Sequence, residues 1–300
     1  MPILKVIVLA IVQGLAELLP VSSSAHVVVA EKLMGLDPSS PAMTLLLVML
    51  HTGTMFAVIA YFWRTWRRTY FASSDAFRRI AIRLVWATLL TGILGELIIK
   101  VIEKTAFRGA PKAEIEELFG RLDLIAPALL CAGILILIAG LRERRSVRVE
   151  ARGEAEDFRT TVTMRQAGWI GAVQGLCLPF RGFSRSGATI STGMLVGSAR
   201  ERAERFSFAL AVILTPPVVL REVLRLVHAS HAAAANGGSL DLHGAVVASL
   251  LGAVFAFLAG LVALRWLSSW LEAGRWYLFG IYCLLASGVV AYLHWGTMHL

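Results

Sequence analysis

The 300-residue chain is 57% hydrophobic and has a mean hydropathy of +0.70. So little polar surface excludes a water-soluble globule and places the chain in a bilayer. The net charge of +9 comes from arginines flanking apolar runs, the pattern of anchoring at the cytoplasmic membrane face, which excludes nucleic acid as the partner.

In chain order, the first apolar segment, 3–19, is short and runs directly into Pro20-Val21-Ser22-Ser23-Ser24-Ala25-His26. It carries no small-residue cleavage pattern and is expected to remain in the mature protein. Segments 41–62, 79–102 and 122–141 are long enough to cross about 30 Å of hydrocarbon as helices. A second short segment, 167–180, runs into Gly182-Phe183-Ser184-Arg185-Ser186-Gly187, and spans at 206–227, 244–265 and 275–295 complete the chain. Cys131, Cys177 and Cys283 have no ligand-spaced neighbours and read as packing residues.

Lipid cannot satisfy the backbone of a Pro, Gly and Ser turn, so broken segments at membrane depth mark protein-lined or watered cavities. A repeat reinforces this reading: Val12-Gln13-Gly14-Leu15 recurs as Val173-Gln174-Gly175-Leu176, each copy followed by a serine cluster. The stretch 64–83 holds six arginines against one acid and 142–165 holds seven, so the positive-inside rule assigns both to the cytoplasm. The two short segments then enter from opposite faces. The expected fold is all-α and polytopic, with six transmembrane helices and two re-entrant helix-turn-helix hairpins in an inverted repeat. It forms a single membrane domain over 1–300, with halves near 1–141 and 166–300 joined by the cytoplasmic loop 142–165.

Both hairpin tips are expected to approach the midplane and share one cavity. Gln13 and Glu17 are one turn apart on the same helix face, and an intramembrane carboxylate is costly unless it holds a partner such as a metal or a proton. Ser22, Ser23, Ser24 and His26 supply hydroxyls, N–H donors and an imidazole at the start of a helix, where anions bind. Ser184, Ser186 and Gly187 surround Arg185, whose guanidinium can fork onto phosphate oxygens while glycine lets the backbone come close. Serines at such places also serve as helix caps, and an arginine can be interfacial. His51, followed by Thr52-Gly53-Thr54, lies mid-span and is left outside the site, because a lone intramembrane histidine packs as often as it reacts. His228, His231 and His243 match no metal-ligand spacing and read as surface residues of an outside loop.

Residues 12–26 and Gly182-Phe183-Ser184-Arg185-Ser186-Gly187-Ala188-Thr189-Ile190 resemble the two signatures of the undecaprenyl-diphosphatase family, also called bacitracin-resistance proteins. The resemblance spans essentially the whole chain. It implies an inner-membrane phosphatase that removes the terminal phosphate of undecaprenyl diphosphate, a polyprenyl diphosphate lipid, and regenerates the carrier lipid of cell-wall synthesis. A magnesium or calcium ion is the implied cofactor, with Gln13 and Glu17 at the family's acidic motif, Ser23 and His26 at its serine and histidine positions, and Arg185 at its arginine. Two positions depart from the pattern: Gln13 is neutral where an acid is usual, and Arg181 replaces a proline. An amide oxygen can still bind such a cation but brings no charge.

The expected chemistry is attack on the terminal phosphorus by Ser23 or by water, with His26 as general base or acid. Access from the periplasm is expected. A lipid flippase or transporter is the alternative, since inverted repeats with broken helices are also a transporter plan. Small residues over 252–260 offer a face for a homodimer.

Overall fold

A computed structural model describes residues 2–36, 40–106, 121–150, 161–235, 242–272 and 274–296. These are all-α, with no strand among the described residues. The helices are α1 (Ile3–Leu18), α2 (Ser23–Leu33), α3 (Pro41–Thr69), α4 (Ser74–Ala106), α5 (Leu122–Glu150), α6 (Met164–Cys177), α7 (Arg185–Leu195), α8 (Arg200–Ala235), α9 (Leu242–Glu272) and α10 (Trp276–Trp295).

Six are long and apolar enough to cross a bilayer: Ala42–Thr69, Ser74–Lys104, Leu122–Arg144, Arg200–Arg221, His243–Ser268 and Trp276–Trp295. Their outward faces are what a membrane requires. On α4, Val85, Leu89, Ile93, Leu97 and Val101 form a stripe at four-residue spacing, each more than half exposed. A water-soluble protein would not leave five turns of one helix apolar and bare, whereas lipid solvates such a stripe at no cost. The chain is a multi-pass membrane protein.

The helices overrun the sequence-predicted loops. α3 continues to Thr69 and α4 begins at Ser74, so the arginines of 64–83 sit mostly on helix ends, and α5 reaches Glu150 inside the expected loop 142–165. Arginine is a good helix former, and Arg67 and Arg68 in the last turn of α3 favour the negative end of its dipole. Likewise α8 runs through Pro216 and Pro217 to Ala235, which puts His228 and His231 in a helix rather than a loop. Their side chains lie outside the described residues. His243 is exposed near the start of α9.

Contacts divide the chain into two compact units, each drawing on both ends of the sequence. The first comprises Met1–Leu19, His26–Phe62 and Ala211–Leu267. Its core is Val6, Leu9 and Ala10 of α1, Val27 of α2, Met43, Leu46 and Leu50 of α3, and Ala256 of α9. Gly14 lets α1 sit directly on α9: a Cβ there would lie 2.6 Å from Ala259 Cβ and 2.7 Å from the Ala256 carbonyl oxygen. Lys5 Nζ donates to the Met34 carbonyl at 2.6 Å, closing the end of α2 against α1. The small-residue face over 252–260 is used inside this unit. Gly252 packs on Leu46 and Leu50, and Gly260 on Ala57 and Leu18.

The second unit comprises Pro20–Ala25, Trp63–Leu210 and Ser268–Leu300. Within it α6 lies along α4, where Thr91 Oγ1 donates to the Gly171 carbonyl at 2.9 Å and Gly175 meets the Thr91 carbonyl. Gly14 and Gly175, matched in the repeat, thus do the same job on different neighbours. α10 pairs with α5, and Ser287 Oγ donates to the Ala126 carbonyl at 2.7 Å. At the start of α8, Arg200 makes a 2.7 Å ion pair with Glu143.

Candidate active site

The first break is tight. α1 ends at Leu18, Leu19 turns extended at φ −80°, ψ 151°, and α2 begins at Ser23, so Ser23, Ser24 and His26 lie on its first turns, at the helix start expected of them. Ser23 and His26 are one helical turn apart, the spacing at which two side chains share a face. The turn closes at Ser22, whose φ of +66° lies in the left-handed region. A serine held there costs about 1–3 kcal/mol and persists only where its surroundings enforce it, a hallmark of functional turns. Ser22 is buried, and its Oγ lies 3.3 Å from Ser24 Oγ.

The second break runs from Leu178 to Ser184, and α7 starts at Arg185. Ser184 caps that helix, its Oγ accepting from the Gly187 N–H at 3.3 Å. Gly182 stands at φ +105°, and a Cβ there would lie 2.7 Å from the Ile125 carbonyl oxygen, so both backbone and space demand glycine. Gly187 has a packing reason as well: a Cβ would meet Ile136 Cδ1 at 2.6 Å. Ser186 is buried beside it. Thr189 Oγ1 donates to the Arg185 carbonyl at 2.7 Å and lies 2.6 Å from Ser207 Oγ, which ties α7 to α8.

The two serine-rich turns meet inside the second unit. The Gly182 N–H donates to Ser24 Oγ at 3.3 Å. This brings the Ser22–Ser24 turn and the start of α2 beside the turn that carries Ser184 and Arg185. Two helix N-termini, several hydroxyls and the turn that carries Arg185 are thus brought together, a set of groups able to bind an anion.

The carboxylate belongs to the first unit. Gln13 is 1% exposed, and its Nε2 donates to Glu17 Oε2 at 3.1 Å, while Gln13 Oε1 is buried with no hydrogen-bond partner among the described residues. The structure adds a residue that sequence reasoning left aside: His51 Nε2 of α3 stands 3.7 Å from Glu17 Oε2. Its helix position was legible, but not the α1–α3 packing that aims it. Gln174, the repeat partner of Gln13, has its whole amide buried without a partner among the described residues.

Those donors fit a divalent cation of the implied kind. Among the described residues no three His, Cys, Asp or Glu side chains gather as a metal cluster. Gln13 Oε1 nevertheless offers a buried acceptor beside the Glu17 carboxylate, and hard ions such as Mg²⁺ need only one or two protein oxygens when substrate phosphates supply others.

Fold and site define a class: a multi-pass, all-α membrane protein with two broken helix pairs, whose serine-rich turns meet and whose first short helix carries a largely buried carboxylate. Within that class the chain belongs to the bacitracin resistance protein BacA family, whose model matches residues 6–290. It is similar to Undecaprenyl-diphosphatase 2 of Acinetobacter baylyi, with 56% identity over 290 residues covering 97% of each chain. It is also similar to proteins named Undecaprenyl-diphosphatase from Desulfosudis oleivorans, 33% identical over 96% of this chain and 97% of that one, and from Desulfatibacillum aliphaticivorans, 34% identical with the same coverage.

Proposed function

We infer that this chain is an undecaprenyl-diphosphate phosphatase, releasing inorganic phosphate and undecaprenyl phosphate and thereby recycling the carrier lipid of cell-wall synthesis. Family membership and full-length similarity to proteins of that name support the reading. The observation that carries it at the level of chemistry is the Gly182 to Ser24 hydrogen bond, which joins the two phosphate-compatible turns. Passive passage of a headgroup needs no such combination of serine, imidazole, guanidinium and carboxylate, so the enzyme reading is preferred to a flippase.

In this proposal Arg185 grips the terminal phosphate through its planar fork, and the N–H groups and hydroxyls of Ser22, Ser24, Ser184 and Ser186 position the diphosphate. Ser23 Oγ attacks the terminal phosphorus as His26, one turn along α2, takes its proton. The bond to the bridging oxygen breaks, and that oxygen leaves on undecaprenyl phosphate. His26 gives that proton to the leaving oxygen, water then attacks the phosphoserine with its proton passing to the freed imidazole, and His26 returns it to Ser23 Oγ as phosphate departs. Gln13 and Glu17 would hold a divalent cation, whose positive charge would offset anionic phosphate oxygens. Glu17 precedes Ser23 by one short turn of chain, which supports assigning both residues to the same reaction.

The two broken helix pairs are proposed to be re-entrant and to enter from opposite faces of a bacterial inner membrane, with substrate reaching the site from the periplasm. The arginine-rich ends of α3, α4 and α5 support that orientation. The deciding experiment is phosphate release from farnesyl or undecaprenyl diphosphate by the detergent-purified protein, with and without chelator. Release that chelator abolishes is expected; no release from monodisperse protein would return the reading to transport. A phosphoenzyme trapped in acid quench should be lost in Ser23→Ala. Near-normal turnover of that variant would replace serine by water as the nucleophile.

A further inference from the structure

Mid-span histidines usually make a single packing hydrogen bond. His51 does more. Its Nδ1 lies 2.8 Å from the Leu47 carbonyl oxygen, and because a carbonyl only accepts, Nδ1 must carry the hydrogen. In the neutral ring this tautomer leaves a lone pair on Nε2, the atom facing Glu17. A ring whose far N–H is tied to a backbone carbonyl is also how metal-ligating histidines are held, because that bond sets both tautomer and orientation.

The separation itself discriminates between readings. Nε2 and Glu17 Oε2 are 3.7 Å apart, beyond the 2.7–2.9 Å or so of a charge-assisted hydrogen bond. It is within the span open to two donors that each lie about 2.0–2.2 Å from one ion. The third donor is the Gln13 amide, which contacts the same Glu17 oxygen through Nε2 and keeps its buried Oε1 without a partner among the described residues. Glu17 keeps 14% of its side chain exposed and His51 48%, so the cluster retains an open side, as a cation site that must also accept substrate oxygens requires.

The scaffold is rigid where such a site needs it. Gln13 and Glu17 ride on α1 and His51 on α3, and these helices are locked together by Val6, Leu9, Leu46 and Leu50, all essentially fully buried. Two residues beyond His51, Gly53 lets α3 press on the backbone of α9 at Ala253. Rotamers held by packed helices keep donors within the tolerance that coordination demands.

We propose that Gln13, Glu17 and His51 form one mixed nitrogen and oxygen cation site, in which the His51 nitrogen makes the site prefer first-row transition ions over Mg²⁺ and Ca²⁺. The inference rests on the reading that Gln13 and Glu17 hold a divalent cation, and extends it to a third ligand and to metal selectivity. An all-oxygen site favours the hard ions, whereas an imidazole donor raises affinity for the transition series selectively. With one carboxylate as its only anionic ligand, the site leaves a dication with net positive charge, which suits an anionic diphosphate as the remaining ligand.

The test uses the full-length protein in detergent, with Mn²⁺ as the probe followed by electron paramagnetic resonance, and with Mg²⁺ as competitor. Wild type is expected to bind Mn²⁺ at least tenfold more tightly than Mg²⁺, with ¹⁴N modulation of the bound ion in spin-echo spectra. In His51→Ala and His51→Gln that modulation should vanish and Mn²⁺ binding weaken about 10-fold or more, with Mg²⁺ affinity changed less than threefold. Gln retains a donor for the Leu47 carbonyl, so it serves should the alanine variant not fold, and thermal unfolding without metal reports the fold of each. Mn²⁺ bound with unchanged affinity and persistent ¹⁴N modulation in the His51 variants overturns the third ligand while leaving the Gln13 and Glu17 cation in place. No divalent binding to folded wild type overturns both.

Discussion

The backbone N–H of Gly182 donates to the Oγ of Ser24 at 3.3 Å, linking two turns that lie 158 residues apart in the chain. The bond holds Arg185 and the first turn of α2 in one neighbourhood. Ser24→Ala removes the acceptor and should cost about 1 kcal/mol, seen as a lower unfolding temperature in detergent. Phosphate release should fall several-fold, and Ser24→Thr, which keeps the hydroxyl, should recover most of it. Gly182→Ala should be worse than Ser24→Ala in both assays. A side chain there meets the Ile125 carbonyl and forces an L-residue into φ +105°, at roughly 1–3 kcal/mol.

The matched glutamines should separate function from fold. Gln174 is buried with no partner for either amide group among the described residues, so Gln174→Leu should leave stability unchanged or raise it, because an unsatisfied amide is replaced by an apolar group of similar shape. Gln13 is bonded to Glu17. Gln13→Leu should lower chelator-sensitive turnover by at least the roughly 10–100-fold that losing a supporting partner costs a metal site. Side-by-side melting curves and turnover measurements check the contrast.

Gly14 is where packing reaches chemistry, because it sits between Gln13 and Glu17 against α9. Gly14→Ala places a Cβ 2.6 Å from Ala259 Cβ and 2.7 Å from the Ala256 carbonyl, so α1 must move away from α9. Overpacking of this kind costs about 1–3 kcal/mol, and turnover should fall because the displaced helix carries Glu17. Adding Ala259→Gly should restore part of both losses, since it relieves one clash and leaves the backbone clash in place.

Arg185→Lys keeps the charge but loses the planar fork. It should lower kcat/KM by about 10²–10³-fold, comparable with removing a preorganised donor from a transition state, while the unfolding temperature stays near wild type. Arg185→Ala should lose more, and inhibition by inorganic phosphate should weaken in both variants, as product titration would reveal.

What the sequence determined by itself is what depends on neighbours in the chain. Hydropathy over windows of about 20 residues located the six spans, because crossing hydrocarbon is a demand on each segment separately. Pro20, Gly182 and the serines marked both breaks, and the four-residue spacing of Gln13 and Glu17 put them on one helix face, as their hydrogen bond confirms. The family signatures were legible for the same reason, since each occupies one continuous stretch. Helix ends were not: α3, α5 and α8 continue past their apolar windows because arginine and alanine sustain a helix in water as well as in lipid. Tertiary structure alone decided which distant groups meet. It turned the small residues near Gly252 and Gly260 inward on Leu46, Leu50 and Ala57, and set the Gly182 N–H on Ser24. It also aimed His51 at Glu17, since which face of α3 turns to α1 is settled by the packing of Val6 and Leu9 against Leu46 and Leu50, and no local pattern around His51 carries that information.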